Sequence, residues 1–294
     1  MEKKKDRLIR GTALNGKVRA FTVRTTELVD ELRRRHDTYP TATAALGRTV
    51  TAAAIMGAML KGEEKLNIII RGNGPLGQIM ADANALGEVR GYVHNPHVHL
   101  PSNSLGKLDV AGAVGTEGYL DVIKDLGMKE PYRGSVPIIS GELGDDFTYY
   151  FAVSEQTPAA VGLGVLVDTD NSVIVAGGFI IQLLPGLTDA EITEIEHTIG
   201  TMPSVTTLLD QGLEPEDMLK FLFPDAVVME ELDIRFACQC SREKVEQTLV
   251  SLGKKELERL IEEDEQAEVV CHFCNEAYVF NKDDMQVILD QAKS

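Results

Sequence analysis

The first part of the chain alternates hydrophobic and polar positions in short runs, a pattern that predicts a strand-rich domain containing helices. Two such runs, 7–13 and 18–25, flank Asn15-Gly16, which is a strong signal for a hairpin. Helical periodicity follows at 27–36 and 41–60. Further strands are predicted at 65–71, 78–83, 88–94, 148–153, 161–167 and 173–184. Residues 1–184 are therefore expected to form a β-rich core domain with helices, of the α+β class.

Between residues 185 and 232 the pattern changes to short, charged, amphipathic helices separated by prolines. Thr188 and Glu191 form a capping box, and Ile192, Ile195 and Ile199 follow on one helical stripe. Helices of this length are marginal in water and depend on the surface against which they pack. The segment is therefore predicted to be a metastable helical linker.

Residues 233–294 form a third block with two helical stretches and few apolar residues to build a core. The apolar positions of these stretches are Val245, Leu249, Leu252, Leu257, Leu260 and Ile261. A unit of about 60 residues with so small a core usually needs a metal or a disulfide to hold it together.

All four cysteines of the chain lie in this block as two closely spaced pairs, Cys238-Gln239-Cys240 and Cys271-His272-Phe273-Cys274. Two such pairs can supply four thiolates to one Zn²⁺ in the tetrahedral geometry of a closed, structural site. His272 lies between two cysteines and is expected to point away from the metal. Each pair is also close enough to form its own disulfide. The residues alone therefore leave open whether the metal is permanent or removable.

The formal charge of the 294-residue chain is −17. Phosphate contacts need Lys and Arg, so this charge argues against a nucleic-acid partner. No apolar segment of signal-peptide length follows the basic N-terminus, and clustered cysteines fit a reducing compartment, so we expect a cytoplasmic protein. The apolar stretch 41–60 contains Arg48 and several threonines, which favours a buried helix over a membrane span.

The remaining motifs give little support for an enzyme. Residues 72–77 match the dinucleotide-binding fingerprint G-x-G-x-x-G, but the strand predicted directly after them favours a glycine-rich turn. The histidines of 94–99 lie beside prolines without a carboxylate pair to orient them, which favours a solvated loop. The chain has no P-loop, G-x-S-x-G or H-E-x-x-H motif, so we predict no catalytic residue and no enzymatic activity.

The cysteine pattern, C-x-C followed by C-x-x-C near the C-terminus, resembles that of the bacterial heat shock protein 33 family, the redox-regulated holdase chaperones. The resemblance extends along the chain, and the four cysteines show no departure from the pattern. The other stretches that carry it are 72–77, 90–93, 146–151, 154–158 and 182–186.

The resemblance implies a β-rich core domain at 1–184, a metastable helical linker at 185–232 and a redox-switch zinc domain at 233–294. It further implies that the reduced thiolates of Cys238, Cys240, Cys271 and Cys274 bind one Zn²⁺ per chain and that this form is inactive. Peroxide or hypochlorite would eject the zinc. Disulfides would then join Cys238 to Cys240 and Cys271 to Cys274.

In the same family-based interpretation, the linker then loosens and offers apolar surface to unfolding client proteins without ATP, under oxidative and heat stress. The active form would be a homodimer, with no nucleic-acid or membrane partner. Within the linker, we expect the stripe of Ile192, Ile195 and Ile199 to contact clients.

Two alternatives from other classes remain at this stage. A thiol-disulfide oxidoreductase would use the C-x-x-C pair catalytically, but that motif belongs at a strand-to-helix turn of a βαβ unit and not in a small terminal block. Turnover in insulin reduction would identify it. A zinc-ribbon nucleic-acid adaptor is disfavoured by the acidic C-terminal block, and a salt-dependent gel shift would decide the matter.

Overall fold

The computed structural model describes residues 4–104, 106–263 and 266–292 of the chain. The chain divides into two compact units, a larger unit Met1–Ala237 and a smaller unit Cys238–Ser294. Each unit has a hydrophobic core of its own. None of the helices in the described ranges combines the length and the apolar character needed to cross a membrane.

A five-stranded sheet forms one layer of the larger unit. Its strands, in spatial order, are β10 (Val227–Asp233), β1 (Arg7–Ala13), β2 (Val18–Arg24), β9 (Val173–Leu183) and β8 (Ala159–Val167), with all neighbours antiparallel. The hairpin predicted at Asn15-Gly16 is confirmed as the β1–β2 connection. Asn15 and Gly16 have φ angles of 55° and 82°, and this left-handed conformation favours Asn and Gly.

A six-stranded sheet forms a second layer. Its strands, in spatial order, are β11 (Arg235–Phe236), β5 (Glu88–Val93), β4 (Gln78–Asn84), β3 (Lys65–Gly72), β6 (Gly118–Asp125) and β7 (Tyr132–Pro137). All pairs are antiparallel except β11, which runs parallel to β5. The chain therefore leaves the edge of the first sheet as β10 and at once joins the edge of the second sheet as β11.

The helices of the larger unit lie between and beside these sheets. They are α1 (Thr26–His36), α2 (Pro40–Gly57), α3 (Val110–Val114), α4 (Gly144–Val153), α5 (Asp189–Thr201), α6 (Val205–Asp210) and α7 (Pro215–Leu222). Helix α2 packs against strands of both sheets, and its small side chains permit that close approach. The apolar stretch 41–60 is a buried helix, as expected, as far as Gly57, where α2 ends, and Arg48 within it pairs with Glu142 at 2.7 Å. Residues 58–60 lie in the turn that follows.

The segment 148–153 was expected to be a strand, and this expectation is wrong because the segment lies in helix α4. The Asp146 carboxylate accepts hydrogen bonds from three backbone amides, that of Ile139 at 2.8 Å, and fixes the start of the helix. The buried side chains are Phe147, Tyr150 and Phe151, which have the spacing of one helical face. The run of aromatic and β-branched residues concealed this helical period.

The helices α5, α6 and α7 pack on the face of the first sheet that points away from α2. Alternate residues of β1, β2 and β9 point to this side, and Ile9, Ala20 and Phe179 form a second cluster with the helices. Residues 227–232, which we expected within the helical linker, are instead part of strand β10. The two compact units divide the chain only after Ala237. The division into 1–184, 185–232 and 233–294 therefore stays a prediction.

The smaller unit contains three helices and a two-stranded hairpin in its described residues. These elements are α8 (Arg242–Val250), α9 (Lys254–Glu263), β12 (Gln266–Val270), β13 (Ala277–Asn281) and α10 (Lys282–Gln291). Among these described residues, the hydrophobic core is small and contains six buried side chains: Leu249, Leu257, Phe280, Met285, Ile288 and Ala292. Leu252, expected on an apolar face, is half exposed because it lies in the turn after α8.

Candidate metal centre

Two local structures of the smaller unit present the four cysteines. Cys238 and Cys240 lie in the extended segment before α8, which begins where the Ser241 hydroxyl accepts a hydrogen bond from the Lys244 amide. Cys271 and Cys274 lie in the turn that joins β12 to β13. That turn is closed by the Asn275 amide, which donates to the Cys271 carbonyl at 2.8 Å. The hairpin turn is therefore also one half of the cysteine cluster.

All four sulfurs lie within 4.8 Å of one another. The Cys238 and Cys271 sulfurs are 3.8 Å apart, and those of Cys240 and Cys274 are 3.3 Å apart. Four sulfurs at about 2.3 Å from one zinc ion would be about 3.8 Å apart along each edge of the tetrahedron. The cluster therefore has the size of a tetrathiolate site.

The surroundings of the sulfurs favour a bound cation. Burial raises the pKa of the Cys274 thiol well above its usual range, and burial is also the largest cause of the raised pKa of Cys240. Several thiolates packed at these distances repel one another, which opposes ionisation in the absence of a positive charge. A soft divalent metal ion reverses this balance because it stabilises every thiolate that coordinates it.

The candidate ligands are the four cysteines and do not include His272, which is exposed between Cys271 and Cys274. Within the described ranges, no other group of three or more His, Cys, Asp or Glu side chains comes close enough to hold a metal ion. The histidines at 94–99 lie in a loop, and two of them have separate partners. His97 is 3.4 Å from Asp37, and His99 is 3.2 Å from the Thr41 hydroxyl.

Two residues beside the cluster were missed in the sequence interpretation. The Tyr278 hydroxyl, on β13, donates a hydrogen bond to the Cys240 sulfur at 3.2 Å, and this bond raises the pKa of Tyr278. Arg242 donates to the Val279 carbonyl at 2.8 Å and stacks over the Phe280 ring at 4.3 Å. Arg242 thus ties α8 to β13. Neither residue has a motif in the sequence, because both act across elements that are distant along the chain.

The glycine-rich segment 72–77 is a turn, as expected. It connects the antiparallel strands β3 and β4, and no helix begins there. A side chain at Gly74 would approach the Ala113 carbonyl oxygen to 2.3 Å, which explains a glycine at that position without a phosphate ligand. The dinucleotide-binding geometry, in which a helix opens at the glycines, is absent from this described segment.

The stripe expected to contact clients lies on α5, in the larger unit. Ile195 is buried in the cluster against the first sheet, whereas Ile192 and Ile199 are partly exposed. The capping box predicted for this helix is confirmed, since the Thr188 hydroxyl and the Glu191 carboxylate bond each other's backbone amides. The role of the stripe in client binding stays a prediction.

Comparisons with known proteins agree over nearly the whole chain. The family model described as Hsp33 protein matches residues 6–281. The 33 kDa chaperonin of Bacillus cereus (strain B4264) is 57% identical over 288 residues, covering 97% of this chain and 99% of that protein. The 33 kDa chaperonin of Bacillus anthracis (strain A0248) is 56% identical with the same coverage.

A solved structure is similar along nearly the whole chain. The crystal structure of the 33 kDa chaperonin (heat shock protein 33 homolog, HSP33) from Thermotoga maritima superimposes with a TM-score of 0.92 at 42% sequence identity, covering 98% of both chains. The resemblance inferred from the cysteine pattern is thereby confirmed. This chain belongs to the Hsp33 protein family of chaperones.

Proposed function

We propose that this chain is a redox-regulated, ATP-independent holdase whose switch is the cluster of four cysteines. The observation that carries the proposal is that four thiols, joined by no His, Asp or Glu side chain of the described residues, converge in one group of tetrahedral size. Membership of the Hsp33 protein family supports chaperone activity. The small core of the unit that carries the thiols supports the idea that their chemistry controls its folding.

In the reduced form, we assign Cys238, Cys240, Cys271 and Cys274 as the ligands of one Zn²⁺. Bound zinc would hold the segment before α8 against the β12–β13 turn and would supply much of the folding free energy of the smaller unit. Apparent binding free energies of structural zinc sites are about 10–16 kcal/mol. Thiolate chemistry of this kind requires a reducing compartment, so we propose a cytoplasmic location.

A peroxide or hypochlorite would take two electrons from each pair of thiolates and be reduced to water or to chloride, and the resulting disulfide sulfurs, which carry no negative charge, would no longer hold a metal ion. Disulfides then join Cys238 to Cys240 and Cys271 to Cys274. In the folded cluster the sulfurs also approach one another across these pairs, at 3.8 Å for Cys238 and Cys271 and 3.3 Å for Cys240 and Cys274. Once the smaller unit unfolds, however, the two cysteines of each pair have the highest effective concentration for each other. Disulfides that close such short loops restore little stability.

Loss of the smaller unit's fold is proposed to loosen the helical segment of the larger unit. Helices α5, α6 and α7 are short, and they owe their stability to the apolar face of the first sheet. Their release would expose the stripe of Ile192, Ile195 and Ile199 together with the sheet face that it covers. Unfolding client proteins would bind this apolar surface, and we propose that the active form is a homodimer.

Two measurements on the same preparation test the proposal. Metal analysis should find one zinc per chain in the reduced protein and none after oxidation. Light scattering of a thermally unfolding client should show protection by the oxidised protein, without ATP, and little protection by the reduced protein. Equal protection in both states, or a reduced protein that binds no metal, would contradict the proposal.

The alternatives from other classes predict different results in parallel assays. An oxidoreductase would turn over insulin disulfides with an added reductant. A nucleic-acid adaptor would shift an oligonucleotide in a salt-dependent gel assay. We propose neither activity, because the C-x-x-C pair lies in a hairpin turn and the net charge of the chain is −17. We likewise propose no membrane partner.

A further inference from the structure

The cysteine cluster has a hydrogen-bond donor that is fixed in place. The hydroxyl of Tyr278 donates to the Cys240 sulfur at 3.2 Å, within the range of hydrogen bonds to sulfur. Tyr278 lies on β13 opposite Val269 of β12, so the sheet register sets its position. Two residues further on, Phe280 is fully buried beneath the Arg242 guanidinium. The fold therefore holds the Tyr278 hydroxyl in position to donate to the Cys240 sulfur.

We propose that the Tyr278 hydroxyl is a brake on the oxidation of Cys240. This inference rests on the proposed redox switch and assigns to Tyr278 a role in its rate. A thiolate attacks a peroxide with a lone pair on sulfur. A hydrogen bond from an O–H donor lowers the electron density on the sulfur. This hydrogen bond must also weaken as the sulfur attacks the peroxide. Tyr278 thus acts through Cys240 as a positioning residue.

The chemical step involves a hydroperoxide as the oxidant. The sulfur lone pair attacks the terminal peroxide oxygen, the O–O bond breaks, and hydroxide leaves and takes a proton from water or buffer. The sulfur is oxidised by two electrons to a sulfenic acid, and the peroxide is reduced by two. A second thiol then displaces water from the sulfenic acid and forms the disulfide. The hydrogen bond from Tyr278 opposes only the first of these steps at Cys240.

The test compares the full-length, zinc-loaded protein with its Tyr278→Phe variant, which lacks one hydroxyl. Tyr92→Phe is a matched control, because the Tyr92 hydroxyl also donates to a sulfur, that of Met80 at 2.9 Å, but in the larger unit. All three proteins are treated with excess hydrogen peroxide, and zinc release is followed with a chromogenic chelator. We expect release roughly three- to tenfold faster in Tyr278→Phe and unchanged in Tyr92→Phe.

A second readout separates the brake from a general loosening of the smaller unit. Sulfenic acids are trapped with dimedone during the first few per cent of the reaction, and the label on each cysteine is quantified by peptide mass spectrometry. The share of label on Cys240 should rise in Tyr278→Phe relative to the other three cysteines. Loosening would raise all four labels together. An unchanged share on Cys240 overturns the proposal.

A further variant covers the case in which Tyr278→Phe fails to hold zinc. Site-specific 3-fluorotyrosine at position 278 keeps the hydroxyl and makes it a stronger donor. Its share of label on Cys240 should fall below that of the unmodified protein, and an equal or higher share contradicts the inference. The unmodified protein tests the switch itself. If peroxide fails to release zinc from the unmodified protein, the proposed function is wrong. If zinc is released but the share of label on Cys240 is the same in the unmodified protein and the variants, only the role of Tyr278 is refuted.

Discussion

The two units of this chain reach a stable fold by different means. The larger unit buries its core on both faces of a five-stranded sheet and around helix α2. In the part of the smaller unit that the structure describes, six apolar side chains form the buried core and all four cysteines lie in one group. Hydrophobic burial is insensitive to oxidants, whereas thiolate ligation is not. On the proposed function, an oxidant would therefore act first on the smaller unit. The two sheets of the larger unit would keep their packing, and only helices α5, α6 and α7 would loosen.

The largest expected effect comes from removing two ligands. In Cys240→Ser, Cys274→Ser we expect complete loss of zinc and unfolding of the smaller unit, because about 10–16 kcal/mol of binding free energy is at stake. Hydrogen exchange should show lost amide protection in 238–292 and retained protection in strands such as β2 and β9. His272→Ala is the control and should keep its zinc. Stoichiometric zinc in the double variant would refute the ligand assignment.

A matched pair of core substitutions sharpens the contrast between the units. Phe147 and Phe280 are both completely buried, the first in the larger unit and the second in the smaller. Replacement of either by alanine should cost about 3–5 kcal/mol. Phe147→Ala should lower the denaturant midpoint of the larger unit at constant zinc affinity. Phe280→Ala should weaken zinc binding in a chelator competition. A loss of zinc affinity in Phe147→Ala would mean that the two units do not fold independently.

A substitution in the helical segment α5–α7 tests whether loosening the larger unit alone is enough to activate the protein. Ile195→Asp places a carboxylate in the cluster between α5 and the first sheet, at a cost of about 3 kcal/mol. We expect the reduced, zinc-loaded protein to become partly active in the light-scattering assay. Thr193→Asp adds the same charge at an exposed position of α5 and should leave the reduced protein inactive. If Ile195→Asp is also inactive, the client surface lies elsewhere.

The smallest expected effect concerns how the stability of the same helix depends on pH. The Thr188 amide and the Lys17 ammonium lower the pKa of Glu191 to about 2. In the unfolded chain this carboxyl binds its proton near 4.5, whereas in the folded chain it stays ionised until about 2. Its contribution to stability is therefore present above about 4.5 and is lost as the pH falls from there towards 2.

Glu191→Gln should remove that dependence and slightly lower the temperature at which α5 loses amide protection at neutral pH. Glu194→Gln is the control, because Glu194 is exposed on the same helix. Equal behaviour of the two variants between pH 2 and 4.5 would show that the capping box does not contribute to this stability.

The sequence predicted the cysteine cluster well, because ligand spacing is a local property. It also predicted the hairpin at Asn15-Gly16 and the capping box of α5. It failed at 148–153, where aromatic residues fit either a strand or a helical face, and tertiary packing selected the helix. Strand β10 was missed for a related reason. Its residues are mostly exposed, so no alternation marked them, and its partner β1 lies at the other end of the larger unit.

The surroundings of the cluster could not be predicted from the sequence. Tyr278 and Cys240 are 38 positions apart, and their hydrogen bond depends on the register of β12 and β13 and on the path of the chain before α8. Such contacts follow from the assembled fold and not from spacing along one segment. The identity of the sulfurs was therefore predictable, whereas the hydroxyl that contacts one of them was not.

The passage of the chain from β10 to β11 has a practical consequence for dissecting the molecule. β11 adds to the edge of the second sheet through the Ala237 amide, which donates to the Val89 carbonyl at 3.1 Å, and Arg235 pairs with Glu88 at 2.8 Å. These residues link the edge strand β10 of the first sheet to strand β5 of the second sheet. A fragment that stops at residue 232 would lose β11 and its pairing with β5. A fragment of the larger unit should therefore end after Ala237.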